Sequence, residues 1–314
     1  MKKVSLIITI LNEEETIISL LESVVGQTIL PNEFIIVDGG SSDKTIKLIN
    51  KFVKKTQKTI KFPIKILTKK GNRSKGRNFA IENSSFDWIA ITDGGCILDK
   101  YWLEELTQKQ RKIGAQVVAG YYSAKASTSF EKAVVPYVLV MPDKLDENNF
   151  LPATRSVLLN KKIWQNAGKF NENLSDNEDY EFSKRLKNTG VEIGFAKTAI
   201  VYWLPRKTLK SFINMIFRFA RGDIQAGIVR PKVLLIFGRY FVGLLLLIFG
   251  IYQYFWQQNV WILFGLLPVL MLLYILWSIV KNYRYSKQSF YWYPVLQISS
   301  DLAVMWGSIK GLRW

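Results

Sequence analysis

The chain of 314 residues contains no histidine and one cysteine, Cys96. Without histidine there is no imidazole general base and no histidine metal ligand. Catalysis must then rest on carboxylates, hydroxyls, Lys, Arg or a metal held by carboxylates. A single cysteine excludes an internal disulfide. Two phosphate-binding signatures are also missing. No G-x-x-x-x-G-K-[ST] loop is present, and no G-x-G-x-x-G follows the first apolar run. A dinucleotide oxidoreductase is therefore disfavoured. Acidic residues are the minority charge, 25 against 43 Lys and Arg, for a net charge of +18. That balance favours polyanionic ligands or an anionic membrane surface. Nucleic acid is the weakest of these options, because the positive charge is spread along the chain and not gathered in one stripe.

The chain changes character near residue 232. Residues 240–256, "YFVGLLLLIFGIYQYFW", and 260–280, "VWILFGLLPVLMLLYILWSIV", carry no charge, and the second matches one bilayer crossing. Only "QQN" separates them, which predicts a tight hairpin of two spans. The alternative is a buried helical core in a soluble domain. Trp256, Trp261 and Trp277 lie near the span ends, as an interfacial aromatic belt requires. A third apolar segment, about 291–309, is interrupted by Pro294 and Asp301 and is a possible third span or a re-entrant segment. Lys281, Arg284 and Lys287 follow the second span while "QQN" is neutral, so loop charge places the N-terminal part in the cytoplasm. Residues 206–232 form a basic amphipathic stretch suited to a helix in the membrane interface. The expected division is an α/β domain over 1–205, this interfacial segment over 206–232, and transmembrane helices over 233–314. The short apolar run after Met1 reads as a first strand and not as a signal peptide.

Before residue 206, apolar strands alternate with charged amphipathic helices. Val4–Leu11, "FIIV" at 34–37, "IKIL" at 64–67 and Trp88–Thr92 read as buried strands, and the alternation implies a mostly parallel, Rossmann-like sheet. Asn12 with Glu15 is a plausible cap for the helix that follows the first strand. Ligands of such sheets bind at the carboxyl ends of the strands. Three polar clusters fall there: Thr9 to Asn12, Asp38 to Asp43, and Asp93 to Cys96. Arg73, Lys75 and Arg77 lie in the basic stretch "KKGNRSKGRN", read as a turn after the third strand. Acids beside a cationic loop suit a nucleoside diphosphate: one carboxylate for ribose or base, one for a divalent cation, and basic groups for the phosphates. The plainer alternative is that Asp38, Asp43 and Asp93 shape glycine-rich turns.

A second acidic cluster lies in "NLSDNEDYEFSKRLKNTG", residues 173–190, which reads as a helix with Ser175 and Glu178 as a capping box and Gly190 as terminator. Asp179, Phe182 and Leu186 share one face. Glu178, Glu181 and Arg185 share another, read as solvated. Glu178 thus has a structural explanation, whereas Asp179 on the protein-facing side suits a general base.

"IITILNEEETI", "FIIVDGGSSDKT", "NRSKGRNFAI", "ITDGGC" and "NEDYEFSKRLKNTG", in that order, resemble the family 2 glycosyltransferases with the GT-A fold. The resemblance covers about residues 3–225, and the apolar tail resembles the C-terminal anchors of members that build envelope polysaccharides or glycolipids. It implies a GT-A domain followed by an α-helical membrane domain at the inner cell membrane, with the catalytic domain cytoplasmic. It implies an inverting transfer from a nucleotide sugar to a lipid-linked or polysaccharide acceptor. Asp179 would be the base, with Glu178 beside it in the catalytic pair. The donor would meet Thr9, Leu11, Asn12, Glu13, Asp38, Ser41, Arg73, Lys75, Arg77, Asp93, Gly94 and, in the place of a late basic motif, Arg218 and Arg221. The last two are equally explained as ordinary interfacial residues. Asp93 would be the first acid of a D-x-D element and the ligand of Mg²⁺ or Mn²⁺. The second acid falls on Gly95, so metal dependence is open on this pattern. Aromatic residues within 121–150 are expected to shape the acceptor site. Three spans are too few for a sizeable polysaccharide channel, so export is expected of a partner or an oligomer. The competing readings are a catalytically inactive membrane scaffold with the same fold, and a phosphohydrolase.

Overall fold

A computed structural model describes residues 2–312. The chain forms two compact units: residues 1–125 with 139–204, and residues 126–138 with 205–314. The first contains eight strands, β1 Val4–Ile10, β2 Glu33–Asp38, β3 Ile64–Thr68, β4 Trp88–Asp93, β5 Cys96–Leu98, β6 Val117–Ala124, β7 Val157–Asn160 and β8 Ile193–Trp203. Its helices are α1 Ile17–Val25, α2 Thr45–Thr56, α3 Arg73–Glu82, α4 Trp102–Ile113, α6 Lys161–Asn166 and α7 Glu178–Asn188. The second unit holds α5 Ser129–Val138, α8 Leu209–Gln225, α9 Pro231–Gln257, α10 Leu267–Tyr283 and α11 Trp292–Gly311.

The strands make one sheet in the order β3-β2-β1-β4-β7-β6-β8-β5. Strands β3, β2, β1 and β4 run parallel, and so do β6 and β8; β7 and β5 run against their neighbours. Strands β1, β2 and β4 were expected from their continuous apolar runs, and those runs are buried on both faces. On one face Ile7, Ile35, Ile89, Ile91 and Leu159 pack with Trp164, Phe182 and Leu186. The antiparallel strands were not singled out in the sequence, because β5 and β7 are only three and four residues long.

Four local expectations are corrected by tertiary contacts. Asn12 does not cap α1. It stands in the left-handed region at φ 55°, and its Oδ1 accepts from the Ser42 N–H at 2.8 Å. The stretch read as a basic turn is helical from Arg73 onward, because the Asn72 side chain caps α3 by accepting from the Lys75 N–H at 3.0 Å. The capping box at Ser175 and Glu178 does not form. Helix α7 starts at Glu178, behind Asn177 at φ 58°. Its buried face therefore runs through Glu178, Phe182 and Leu186 at i, i+4 and i+8, while Asp179 is half-buried and Glu178 is not solvated.

In the helical unit, α9 and the segment Trp261–Tyr283, which a π-helical turn joins to α10, are long and apolar enough to cross a membrane. Helix α11 accommodates Pro294 in its first turn, where no intrahelical N–H is required. It packs closely on α8. A Cβ at Gly307 would lie 2.4 Å from the Phe217 carbonyl, and one at Gly311 would lie 2.7 Å from Ile224 Cβ. The apolar stripe of α8, with Phe212, Met215, Ile216 and Ala220 buried, is covered within this unit. Asp301 on α11 is 1% exposed and is held by Arg239 at 2.5 Å, Gln297 at 3.0 Å, Tyr240 at 3.3 Å and Tyr274.

Candidate active site

The three polar clusters meet at the carboxyl edge of β2, β1 and β4. Ile10 stands opposite Asp38 in the register, and Thr9 stands opposite Asp93. The loops leaving β1 and β2 are joined to each other. Asp38 accepts from the Ser41 N–H at 3.0 Å and from its hydroxyl at 2.6 Å, and Ser41 Oγ in turn accepts from the Asn12 N–H at 2.9 Å. The Glu13 N–H donates to Thr45 Oγ1 at 2.8 Å. Asp38 is buried and shapes this wall, while Leu11 beside it is 52% exposed. Thr9, Asn12, Glu13, Asp38 and Ser41 thus belong to one continuous surface built by two strand ends.

Asp93 meets a buried arginine. Arg77 is 1% exposed, and its Nη2 donates to Asp93 Oδ1 at 2.8 Å while its Nη1 donates to Glu178 Oε1. Gly76 makes this reach possible. A Cβ there would come within 2.9 Å of Thr9 Cγ2, so α3 lies directly against the end of β1. Arg77 is therefore the centre of a charge cluster and does not lie on a loop. Arg73, at the start of α3, is exposed, and Lys75 is half-buried with its stem over Gly71.

One guanidinium shared by a buried carboxylate, Glu178, and a partly exposed one, Asp93, cannot compensate both equally. Burial alone would raise Asp93, but Arg77, then Arg73 and Arg155, hold it below the usual carboxylate range. Burial raises Glu178 as well. There the pull of Arg77 is opposed by the neighbouring Asp179, and the carboxyl lies above its usual range. Burial disfavours charge on Arg77 too, yet Asp93, Glu178 and Asp179 together hold its proton more firmly than usual. Within this cluster, Arg77 Nε and Glu178 Oε2 are buried with no hydrogen-bond partner among the described residues. Asp179 sits next to Glu178 in the first turn of α7, half-buried, where the helix N-terminus favours an acid.

Several members of the cluster carried no signal in the sequence. The Thr154 hydroxyl lies 3.4 Å from Asp93 Oδ1. The Arg155 guanidinium stands 5.5 Å from the ring centres of both Tyr122 and Trp203. "ATRS" has no periodicity and no motif spacing, so only the fold brings Arg155 to Asp93. The aromatic stretch 121–150 divides: Tyr121, Tyr122 and Phe150 cluster with Phe195, whereas residues 126–138 belong to the helical unit. Arg218 and Arg221 lie on α8 of that same unit.

The site fits a divalent cation that takes most of its ligands from phosphate and water. Among the described residues, no group of three or more Asp, Glu or Cys side chains is gathered closely enough to form an all-protein cage. Both hydrogen bonds to the Asp93 carboxylate fall on Oδ1, and its side chain is 28% exposed. Of the two glycines that follow, only Gly95 has room for a side chain: a Cβ there would meet Glu13 Oε2 alone within 4 Å, at 3.7 Å.

A model of the family described as "Glycosyl transferase family 2" matches residues 5–165, just over half of the chain. Among relatives, the chain is 25% identical over 229 residues to glycosyltransferase AglE of Haloferax volcanii, covering 71% of this chain and 73% of that one. It is 23% identical over 229 residues to a poly-beta-1,6-N-acetyl-D-glucosamine synthase of Staphylococcus epidermidis, covering 70% of this chain and 54%, about half, of the synthase. Among solved structures, S. aureus TarS 1–349 in complex with UDP-GlcNAc superposes with a TM-score of 0.52 at 14% identity, covering 99% of this chain and 92% of that one. GalNAc-T7 with UDP, GalNAc and Mn²⁺ gives 0.52 at 13% identity, covering 71% and 48%. The fold is GT-A, with a helical C-terminal region.

Proposed function

The chain belongs to glycosyltransferase family 2, and from that premise we propose that it is a membrane-anchored, inverting enzyme that moves a sugar from a nucleotide sugar to a lipid-linked or polysaccharide acceptor at the cytoplasmic face. The observation that carries this reading is the Arg77 bridge, which links Asp93 at the end of β4 to the Glu178–Asp179 pair at the start of α7. It holds one acid ionised beside the expected diphosphate and sets another at a helix start where an acceptor hydroxyl can be met.

The roles follow from position. The wall made by Thr9, Leu11, Asn12, Glu13, Asp38 and Ser41 receives the nucleoside, and Asp38 gains rigidity from its bonds to Ser41. Gly94, beside Asp93, borders the donor site and lets Glu13 and Ile10 pack against the turn. Arg73 and Lys75 answer phosphate charge, a role that the family resemblance also implies for Arg218 and Arg221. Arg77 is a positioning residue, buried by its two carboxylates. In the transfer step the acceptor oxygen attacks the anomeric carbon, the carbon–oxygen bond to the diphosphate breaks with its electron pair leaving on the nucleoside diphosphate, and the acceptor proton passes to Asp179. Glu178 fixes Arg77 and holds the start of α7. Asp93 would hold a divalent cation, Mg²⁺ or Mn²⁺, which when bound neutralises the departing diphosphate.

Residues 231–257 and 261–283 supply the anchor, and the charged loop after them supports a cytoplasmic catalytic unit. The apolar acceptor end and an export partner belong to the same reading. The names of the relatives make UDP-GlcNAc the first donor to test. The experiment is calorimetry of the full chain in detergent against a panel of nucleoside diphosphates and nucleotide sugars, followed by transfer to lipid-linked acceptors. Binding of one nucleotide sugar, weakened by Asp93→Ala, supports the reading. Folded protein that binds none of the panel overturns it.

A further inference from the structure

The D-x-D pattern stops at Asp93, because its second acid would fall on Gly95. The structure shows what stands there instead. A Cβ built at Gly95 would have no neighbour within 4 Å except Glu13 Oε2, at 3.7 Å. A Cβ at Gly94 would press on Glu13 Cγ and Ile10 Cγ2, both at 3.2 Å. The two glycines therefore let the Glu13 side chain lie across the turn that follows β4, with its carboxylate beside the place a residue-95 side chain would occupy.

Glu13 is held in that position. Its Oε2 accepts from Thr16 Oγ1 at 2.7 Å, and the same hydroxyl lies 3.5 Å from the Gly94 carbonyl. Its backbone N–H is tied to Thr45 at 2.8 Å. Glu13 and Asp93 also act on one buried group, the Cys96 thiol. It is pushed up to about 12, by burial first, then by Asp93, with a smaller contribution of the same sign from Glu13. The Glu13 carboxylate thus stands at the turn that directly follows Asp93, at the sheet's carboxyl edge.

We propose that Glu13 supplies the second protein carboxylate of a divalent-cation site whose first is Asp93, the acid arriving from the loop after β1 because position 95 is glycine. The inference rests on the reading that a nucleoside diphosphate binds here, since its phosphate oxygens and water complete the coordination. Hard cations such as Mg²⁺ and Mn²⁺ accept two carboxylates in such a set. Glycine at 95 then leaves the Glu13 carboxylate as the acid nearest that position.

The test is Mn²⁺ binding, read by electron paramagnetic resonance on the full chain in detergent, with the metal alone and with UDP. The proteins are the wild type, Glu13→Gln, Glu14→Gln and the double variant Glu13→Gln/Gly95→Asp. Glu13→Gln keeps the oxygen that accepts from Thr16 and is expected to weaken Mn²⁺ binding about tenfold or more. Gly95→Asp, at a position with open space and ordinary backbone, is expected to restore it. Glu14→Gln, whose carboxylate accepts from the Lys44 N–H at 3.0 Å, is expected to leave it unchanged. Equal Mn²⁺ binding by Glu13→Gln and wild type overturns the proposal. So does a double variant that keeps the wild-type unfolding temperature but does not recover the metal. UDP binding in chelator separates the two readings: a wild type that binds UDP and takes up no Mn²⁺ overturns the cation site while the transferase assignment stands.

Discussion

Each unit of the molecule holds an arginine–aspartate pair with one buried member, and the two pairs differ in how the charge is shared. In the sheet unit, Arg77 faces two carboxylates directly, Asp93 and Glu178, with Asp179 adjoining. In the helical unit, Asp301 faces one cation, Arg239, and three neutral donors, Gln297, Tyr240 and Tyr274. The second arrangement is electrically closed and ties α9, α10 and α11 together. The first splits one buried guanidinium between two carboxylates at the strand ends where a ligand of this fold binds, with Arg73 and Arg155 also acting on Asp93. A pair closed by neutral donors suits a structural role, whereas a guanidinium split between two carboxylates at a ligand edge suits the proposed binding role.

The surroundings of the pairs differ too. Around Arg77 the apolar side chains point inward and form the core. On α9 and α10 the apolar side chains, among them Leu235, Phe255, Trp256 and Val280, point outward, and the polar contacts lie inside. That inversion suits hydrocarbon as the surrounding solvent.

The comparison can be broken most severely at the chemistry. Asp179→Asn is expected to lower transfer about 10²- to 10⁴-fold while nucleotide binding by calorimetry is retained. Full activity in that variant would remove Asp179 as the base.

Next in size is the shared arginine itself. Arg77→Met leaves the buried Glu178 and the partly exposed Asp93 without their common cation and is expected to cost about 3–5 kcal/mol in urea unfolding of the sheet unit. Adding Glu178→Gln should recover part of that loss. Asp301→Asn in the helical unit is expected to cost less, about 1–3 kcal/mol, because the Arg239 side chain is partly exposed and can turn outward. Equal costs at both sites would erase the distinction drawn between them.

The pH dependence sharpens the same point. Asp93 and, away from the site, Glu33 are held below their unfolded values; for Glu33, burial is outweighed by Lys65, Ser5 and Ser85. A depressed carboxyl contributes stability above its unfolded pKa, about 4, and loses it as pH falls through the folded value. Glu178 is raised, so its contribution runs the other way and declines as pH rises above that range. Denaturation midpoints between about pH 3 and 7 should therefore fall on the acid side, and Glu178→Gln should steepen that fall. The smallest effect is expected at the Lys197–Glu147 bridge, where both side chains are more than half exposed. Lys197→Ala there should shift the midpoint by no measurable amount.

Much of the site was legible because it depends on local pattern. Uninterrupted apolar runs ending in acids mark the carboxyl ends of β2 and β4, and Asp38 and Asp93 were placed from that alone. The helix starts were less legible. Asn12 and Ser175 both look like caps, yet Asn12 is occupied by the neighbouring loop and α7 begins three residues after Ser175. Arg77 was visible as a basic residue and invisible as a buried one, since its burial depends on Gly76 meeting Thr9 and on a glutamate 101 residues away. Thr154 and Arg155 had no local signature at all.

By itself, the sequence determined the strand–helix alternation, the acids at the strand ends and the charge-free helices, because each follows from the period and length of apolar runs over a few neighbouring residues. Only the tertiary structure decided which acids share Arg77, that Glu178 and not Asp179 is sealed, and that Glu13 lies beside the empty position at 95. Those facts depend on the crossing of distant segments, where burial and charge are properties of the assembled neighbourhood and not of any one stretch of chain.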